Sequence, residues 1–154
     1  MSDEKKPSIK TLQYAGAGVS FNYPDGGKVV EIGHADGSKV VRLLGLIQGK
    51  PLNVDIEILS YVKDAKEELT RLAAVDRISF PNETVAPYEI PMGKLKGWRF
   101  IYRAIDGGRD CGYMDIVLVN TKNGVYRVTM NPSVDQYDQA RMVFDIVLND
   151  FKVI

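Results

Sequence analysis

Residues 95–130 leave this chain the fewest options. Leu95 to Ile105, Gly112 to Val119 and Val125 to Met130 are three strand candidates, rich in aromatic and β-branched side chains. Asp106-Gly107-Gly108 joins the first two, and Asn123-Gly124 joins the last two. Asn-Gly supplies both positive-φ residues of a tight hairpin turn whose twist matches its flanking strands. Strands linked this closely lie antiparallel, because parallel neighbours need a crossover of about a dozen residues or more. The meander is apolar on both sides, with Trp98, Phe100 and Tyr102 alternating against Leu95 and Ile101. Two apolar faces call for a cover on each.

Two amphipathic segments are the natural covers. Asp64 followed by Glu67 resembles a capping box, and Glu67 and Glu68 fall in a first turn, where the helix dipole favours negative charge. Ala65, Leu69, Leu72 and Ala73 form a narrow apolar stripe behind them. The second segment opens at Pro132-Ser133, with Ser133 as N-cap and Gln136 as its box partner. Tyr137, Ala140, Phe144, Val147 and Leu148 form its apolar face, widened by Val143 and Ile146.

Upstream, Val19, Phe21 and Tyr23 alternate before a Pro24-Asp25-Gly26-Gly27 turn. Val29 to Ile32 and Val40 to Ile47 flank His34-Ala35-Asp36-Gly37 as a hairpin. From Asn53 to Ser60, Val54, Ile56 and Ile58 point one way, while Asn53, Asp55 and Glu57 point to a wet face. Pro81, Pro87 and Pro91 mark an irregular crossing with at most a short edge strand. Phe151, Val153 and Ile154 end the chain as an apolar strand or docked tail. The expected fold is α+β: an antiparallel sheet with helices packed on both faces, an α/β/α sandwich. Its helices lie near 64–75 and 134–149, and Tyr126, Phe144, Val147 and Phe151 share one core. Residues 1–10 are polar and predict a disordered lead-in or tether; 11–154 predict a single domain.

Charge and composition exclude several classes. Twenty Lys and Arg balance twenty Asp and Glu, which argues against a nucleic-acid binder. One Cys and one His cannot build an ordinary structural zinc site. The richest apolar run, Val40 to Ile47, is broken by Arg42 and Gly45, far short of a transmembrane span. No apolar leader precedes the domain, so the expected location is cytoplasmic if Met1 is the native start. An exported or lipoprotein domain with its signal segment removed is the alternative. No nucleophile elbow, zinc-protease motif or Walker A loop is present, and no cofactor is expected. Gly45-Leu46-Ile47-Gln48-Gly49-Lys50-Pro51 is one residue short and ends in Pro.

The charged side chains supply the site candidates. Lys94, Lys96, Arg99, Arg103 and Arg109 form a basic cluster opposed only by Asp106. Arg99 and Arg103 share one side of a strand, about 13 Å apart, with Arg109 at the adjoining turn. They are candidates for docking a partner protein with an acidic surface, against the simpler reading of rim charges that keep a sheet soluble. Replacing Arg99 and Arg103 by Gln is expected to leave the fold intact. Asp55 and Glu57 on one wet face, and Asp106 and Asp110 beside a glycine turn with Asp115 beyond, are candidates for a metal or small ligand. Their spacing is not that of an EF-hand. His34 reads as an exposed turn residue, Cys111 as a small buried hydrophobe, and Trp98, Phe100 and Tyr102 as core.

Three segments carry a family resemblance. Gly18-Val19-Ser20-Phe21-Asn22-Tyr23-Pro24 resembles an opening strand ending in aromatic-Pro. Asn123-Gly124-Val125-Tyr126-Arg127-Val128-Thr129 resembles a turn-plus-strand signature, and Tyr137 to Ile146 with Asn149-Asp150-Phe151-Lys152-Val153 resembles a closing helix and its exit. Together they resemble the PsbP family, extrinsic proteins of the photosystem II oxygen-evolving complex. Relatives of the same fold include Ran-binding Mog-type and bacterial lipoprotein-like domains. The resemblance spans most of 18–154. Asp150 stands where the family has Ser, and Asp25-Gly26-Gly27 replaces a Trp after the opening Pro. The resemblance implies a non-enzymatic interaction module, an accessory or stabilising component of a larger assembly. It transfers no metal site, since His34 is the only histidine. The reading from another class is a small-molecule or metal-binding domain with weak hydrolytic activity, built on Asp55, Glu57, Asp106 and Asp110.

Overall fold

The meander of residues 95–130 forms three long strands inside a larger antiparallel sheet. The structure, a computed structural model, describes residues 10–47, 49–79 and 86–154. In chain order its elements are β1 (Thr11–Gly16), β2 (Val19–Pro24), β3 (Lys28–Gly33), β4 (Lys39–Ile47), β5 (Lys50–Leu59) and α1 (Ala65–Ser79). There follow β6 (Tyr88–Met92), β7 (Leu95–Asp106), β8 (Arg109–Thr121), β9 (Gly124–Met130), α2 (Tyr137–Asn149) and β10 (Lys152–Val153). Seven strands make one sheet in the order β3-β4-β5-β9-β8-β7-β6, and three make a second, β1-β2-β10. β8 turns into β9 at the expected place but one residue out of the expected frame: Thr121 lies opposite Gly124, so Lys122 and Asn123 make the turn, and of the Asn-Gly pair only Gly124, the first residue of β9, takes a positive φ, +126°. Residues 1–9, most of the expected lead-in, and Pro81 lie outside the described residues.

Alternation along β8 sorts the apolar residues into two clusters. Val117 and Val119 join Val54, Ile56, Val128 and Met130, the α2 residues Ala140, Phe144, Val147 and Leu148, and Val19 and Phe21 of β2. Ile116 and Leu118 join Phe100, Leu59 and Val125 with Ala65, Leu69 and Ala73 of α1. Tyr126, Phe144, Val147 and Phe151 share the first cluster, as expected. The expectation of one sheet covered by helices needs correction, because a second sheet shares the α2 side. Its physical reason is that β2 carries Val19 and Phe21, which need a cover of their own, and β1 and β10 supply β2 with hydrogen-bonding neighbours on both edges.

The helix starts are built from the expected residues with altered partners. Asp64 Oδ2 accepts the Glu67 N–H at 2.9 Å. The reciprocal bond comes from Asn120 at the end of β8: its Oδ1 accepts the Ala65 N–H at 2.8 Å, while its Nδ2 donates to Asp64 Oδ1 at 3.0 Å. Thus α1 is anchored to the sheet at its first turn. The Ser133–Gln136 box forms, with the Ser133 N–H on Gln136 Oε1 at 3.0 Å and the Gln136 N–H on Ser133 Oγ at 3.3 Å. It closes the turn before α2 instead of its first helical turn, so α2 begins at Tyr137. Gln136 is buried, and its Nε2 donates to the carbonyls of Ile47 and Lys50 at 3.2 Å, holding the β4–β5 end.

The two sheets are tied by a hydrogen bond from the Tyr14 hydroxyl to Glu31 Oε1, across β1 and β3. Burial, reinforced by that carboxylate, pushes the Tyr14 hydroxyl up to about 12 from 10.0. The fold therefore favours the neutral phenol. The tie contributes fully below the unfolded value near pH 10 and is lost as pH rises toward 12. An ultraviolet absorbance titration should show a late-ionising tyrosine that vanishes in Tyr14→Phe. An unchanged titration in that variant would show that the tie has no energetic weight.

Candidate functional site

The structure places the charged candidates in internal pairs. Arg99 sits on β7 with its side chain only 5% exposed. Its Nε donates to Asp115 Oδ1 at 2.9 Å and its Nη2 to Asp115 Oδ2 at 2.6 Å. From α2 above, Asp145 Oδ1 accepts from Nη1 at 3.3 Å, and the Phe144 ring lies 5.3 Å from the guanidinium carbon. Burial opposes the Arg99 charge, but the hydrogen bonds and charge of Asp115 outweigh it and hold the guanidinium protonated. Asp115 is wholly buried; it belongs to the α2 interface and not to the glycine turn.

The strand parity expected for Arg99 is right, and the exposure is not. Arg99 shares its face with Leu95, whose side chain packs against the α2 core cluster, so α2 covers the arginine as well. A surface role for Arg99 is therefore corrected to a structural one. Arg103, farther along the same side, is partly exposed and donates from Nη2 to Asp110 Oδ2 at 2.9 Å. Arg109 is exposed at the β7–β8 turn. Lys96 pairs with Glu89 on β6 at 3.1 Å. Lys94 and Arg109 flank opposite ends of β7, separated by about 40 Å of strand. The basic residues that are neighbours in sequence do not form one surface.

The candidate acids are likewise engaged. Arg42, directly across from Asp55 on β4, donates to both of its oxygens, at 2.7 and 3.0 Å. Arg127, directly across on β9, donates to Glu57. Asp110 accepts from Arg103 and from the Gly112 N–H, which together hold its carboxyl below the usual range. Asp106 ends β7, and its side chain lies outside the description. A cation at Asp55, Glu57 or Asp110 would compete with a guanidinium already in place. Among the described residues no three His, Cys, Asp or Glu side chains gather around a common point.

Near the Asp110 end the β7–β8 ladder slips. Arg103 faces Tyr113 and Ile105 faces Asp110, so Ala104 alone opposes Cys111 and Gly112. This is a β-bulge in β8, with Gly112 at φ +81°. It explains a correction: Cys111 is exposed at the bulge, not buried. Trp98, Phe100 and Tyr102 behave as core, Phe100 fully buried and the other two packed around the α1 cluster. His34 is exposed in its turn.

Two of the surface depressions lie away from the candidate arginines and acids. A cleft of about 430 Å³ opens between the Pro24–Gly27 turn, Leu43, Leu52 and Val143, with largely apolar walls. A groove of about 690 Å³ lies at the β6–β7 turn and the exit of α2, bordered by Lys94, Lys122 and Lys152. Only Lys94 stands out in the sequence; Lys122 lies among polar neighbours and Lys152 between Phe151 and Val153.

No protein-family model matches the chain, and no curated protein matches it. The likeness is structural. The chain is similar to the solution structure of cyanobacterial PsbP (CyanoP) from Synechocystis sp. PCC 6803, with a TM-score of 0.62 and 17% identity, covering 100% of this chain and 97% of that one. The fold is PsbP-like. At 17% identity what is shared is the arrangement of elements. The engaged acids and arginines must be judged on this chain's own geometry.

Proposed function

We propose that this chain is a non-enzymatic interaction module, an accessory or stabilising component of a larger protein assembly. What carries this reading is the PsbP-like fold over the whole chain, since PsbP-like proteins are accessory components of protein assemblies. The state of the candidate chemical groups supports it. Asp55, Glu57 and Asp110 are each held by an arginine, an arrangement suited to fixing a sheet and poorly suited to proton transfer. In this reading residues 11–154 act as one domain, a helix associated with either face of the large sheet, and the partner is a protein with an acidic surface. Arg103 and Arg109 remain rim contacts for it, and Arg99 supports them from within. Among the described residues no helix is long and apolar enough to cross a membrane. The placement we favour is the exported one, as for the PsbP type.

Size-exclusion chromatography of a native-source extract tests the reading. The chain should elute with a larger species at low salt and shift to its own size at high salt, because screening weakens charge-guided association. Elution at its own size under both conditions would overturn the module, and turnover in a panel of ester, phosphate and glycoside substrates would put an enzyme in its place.

A further inference from the structure

The fold collects lysines at the end of the sheet opposite Arg109. Lys94 comes from the β6–β7 turn, Lys122 from the β8–β9 turn and Lys152 from β10, and all three are exposed. They border the groove of about 690 Å³, and none forms an ion pair with a described residue. By contrast Lys10, Lys39, Lys50 and Lys96 each lie within 4.0 Å of a carboxylate. The one carboxylate in the groove wall, Asp150, accepts a hydrogen bond from Asn22 Nδ2 at 3.0 Å. Three cations against one anion leave the groove clearly positive on a chain whose formal net charge is zero.

The groove is also held in shape. Gly93, at φ +57°, presses the turn that carries Lys94 against the α2–β10 link; a Cβ there would sit 2.9 Å from the Phe151 carbonyl oxygen. Phe151 is fully buried and Leu95 half-buried, so the lysine stems stand on a packed floor. Pre-set charges lose less on binding than charges on mobile loops.

We infer that this groove binds an extended acidic segment of a protein partner. The inference rests on the interaction-module reading and gives it a second surface, at the end of the sheet away from Arg103 and Arg109. Three lysines from three elements border an open trough, which suits carboxylates spread along a peptide. A single phosphate is better matched by an arginine fork, and no arginine lines this groove. No aromatic side chain stands ready to stack a base, since the one aromatic present, Phe151, is fully buried.

The probe is a fluorescein-labelled peptide of alternating Glu and Asp, followed by anisotropy at low and high salt. The wild-type chain should bind it, and Lys94→Glu/Lys122→Glu/Lys152→Glu should weaken binding at least about tenfold, mainly at low salt. The control Lys10→Glu/Lys39→Glu/Lys96→Glu should stay within about threefold, and matching thermal melts show that both variants fold. Equal loss in the two triples overturns the inference. So does displacement of the probe by inorganic phosphate at matched ionic strength, or groove-dependent sedimentation with phosphatidylserine vesicles exceeding peptide binding; these assign the groove to a free anion or a lipid surface. Extract chromatography of the groove triple separates the two proposals. If it still elutes with a larger species, the module stands and the groove is wrong; if the wild type never does, the module reading itself fails.

Discussion

Replacing Arg99 by Gln is expected to destabilise the fold by about 3–5 kcal/mol, the cost of breaking a buried ion pair from one side. The glutamine cannot make the two-pronged contact, and Asp115, with no exposed surface, is left with an uncompensated charge or must take up a proton. Against a typical total of about 5–15 kcal/mol, that loss brings the chain close to unfolding at room temperature. This reverses the expectation that Arg99 and Arg103 can be exchanged without consequence. Arg103→Gln should cost far less, because Arg103 and Asp110 are 37% and 43% exposed and water screens them. Urea unfolding followed by Trp98 fluorescence separates the two. The double replacement Arg99→Met/Asp115→Leu should recover much of the loss, since an apolar pair of similar volume removes both buried charges together. An unchanged midpoint in Arg99→Gln would mean that the pair carries no weight.

Gly112→Ala should be comparably damaging for a backbone reason. At φ +81° any Cβ is strained, and this one would lie 2.3 Å from the Pro132 carbonyl oxygen. That carbonyl cannot turn aside freely, because it accepts the Tyr113 N–H at 2.9 Å. The combined strain and displacement should amount to about 3 kcal/mol or more, roughly 6–12 °C in Tm for a chain of this size. Gly108→Ala isolates the strain alone: its φ is +78°, and nothing lies within 4 Å of the added methyl. Equal melting points for the two variants would show that the bulge yields and that close approach to Pro132 is not a constraint.

What was legible in the sequence was local. Asn123-Gly124 marks its hairpin to within one residue, the α2 stripe specifies its buried face, Asp64 caps α1, and Ser133 with Gln136 marks the turn just before α2, because each signal acts within a few residues. β1 was missed: Leu12 and Tyr14 alternate, but a short polar-flanked run does not reveal that it pairs along one edge of β2. The site is harder to read for the same reason. Alternation tells which side of β7 Arg99 points to, but only the docking of α2 tells that Phe144 and Asp145 lie over it. Apolar Leu95 and Ile101 at alternate positions were the available hint that this side is covered. The cross-strand partners Arg42–Asp55 and Glu57–Arg127 follow from register, which is a property of two strands and of neither alone. Lys94, Lys122 and Lys152 meet only once two turns and β10 are brought to one end.

The pairing of β2 with both β1 and β10 sets an order on assembly. Ser20 finds Gln13 and Ala15 within its own hairpin, but its partner on the other edge, Lys152, lies 132 positions later (152 − 20). During folding, the β1–β2 hairpin can close early, while its second edge and the apolar side chains of Val19 and Phe21 wait for α2 and β10. Closing so long a loop costs little more than closing one half as long, so the delay is in search time and not in final stability. In that interval β2 offers an open edge to any chain that presents a β10-like strand, including a second copy of this one. Slow refolding and exchange of β10 between copies at high concentration are the kinetic counterparts of a sheet whose middle strand joins the two ends of the fold.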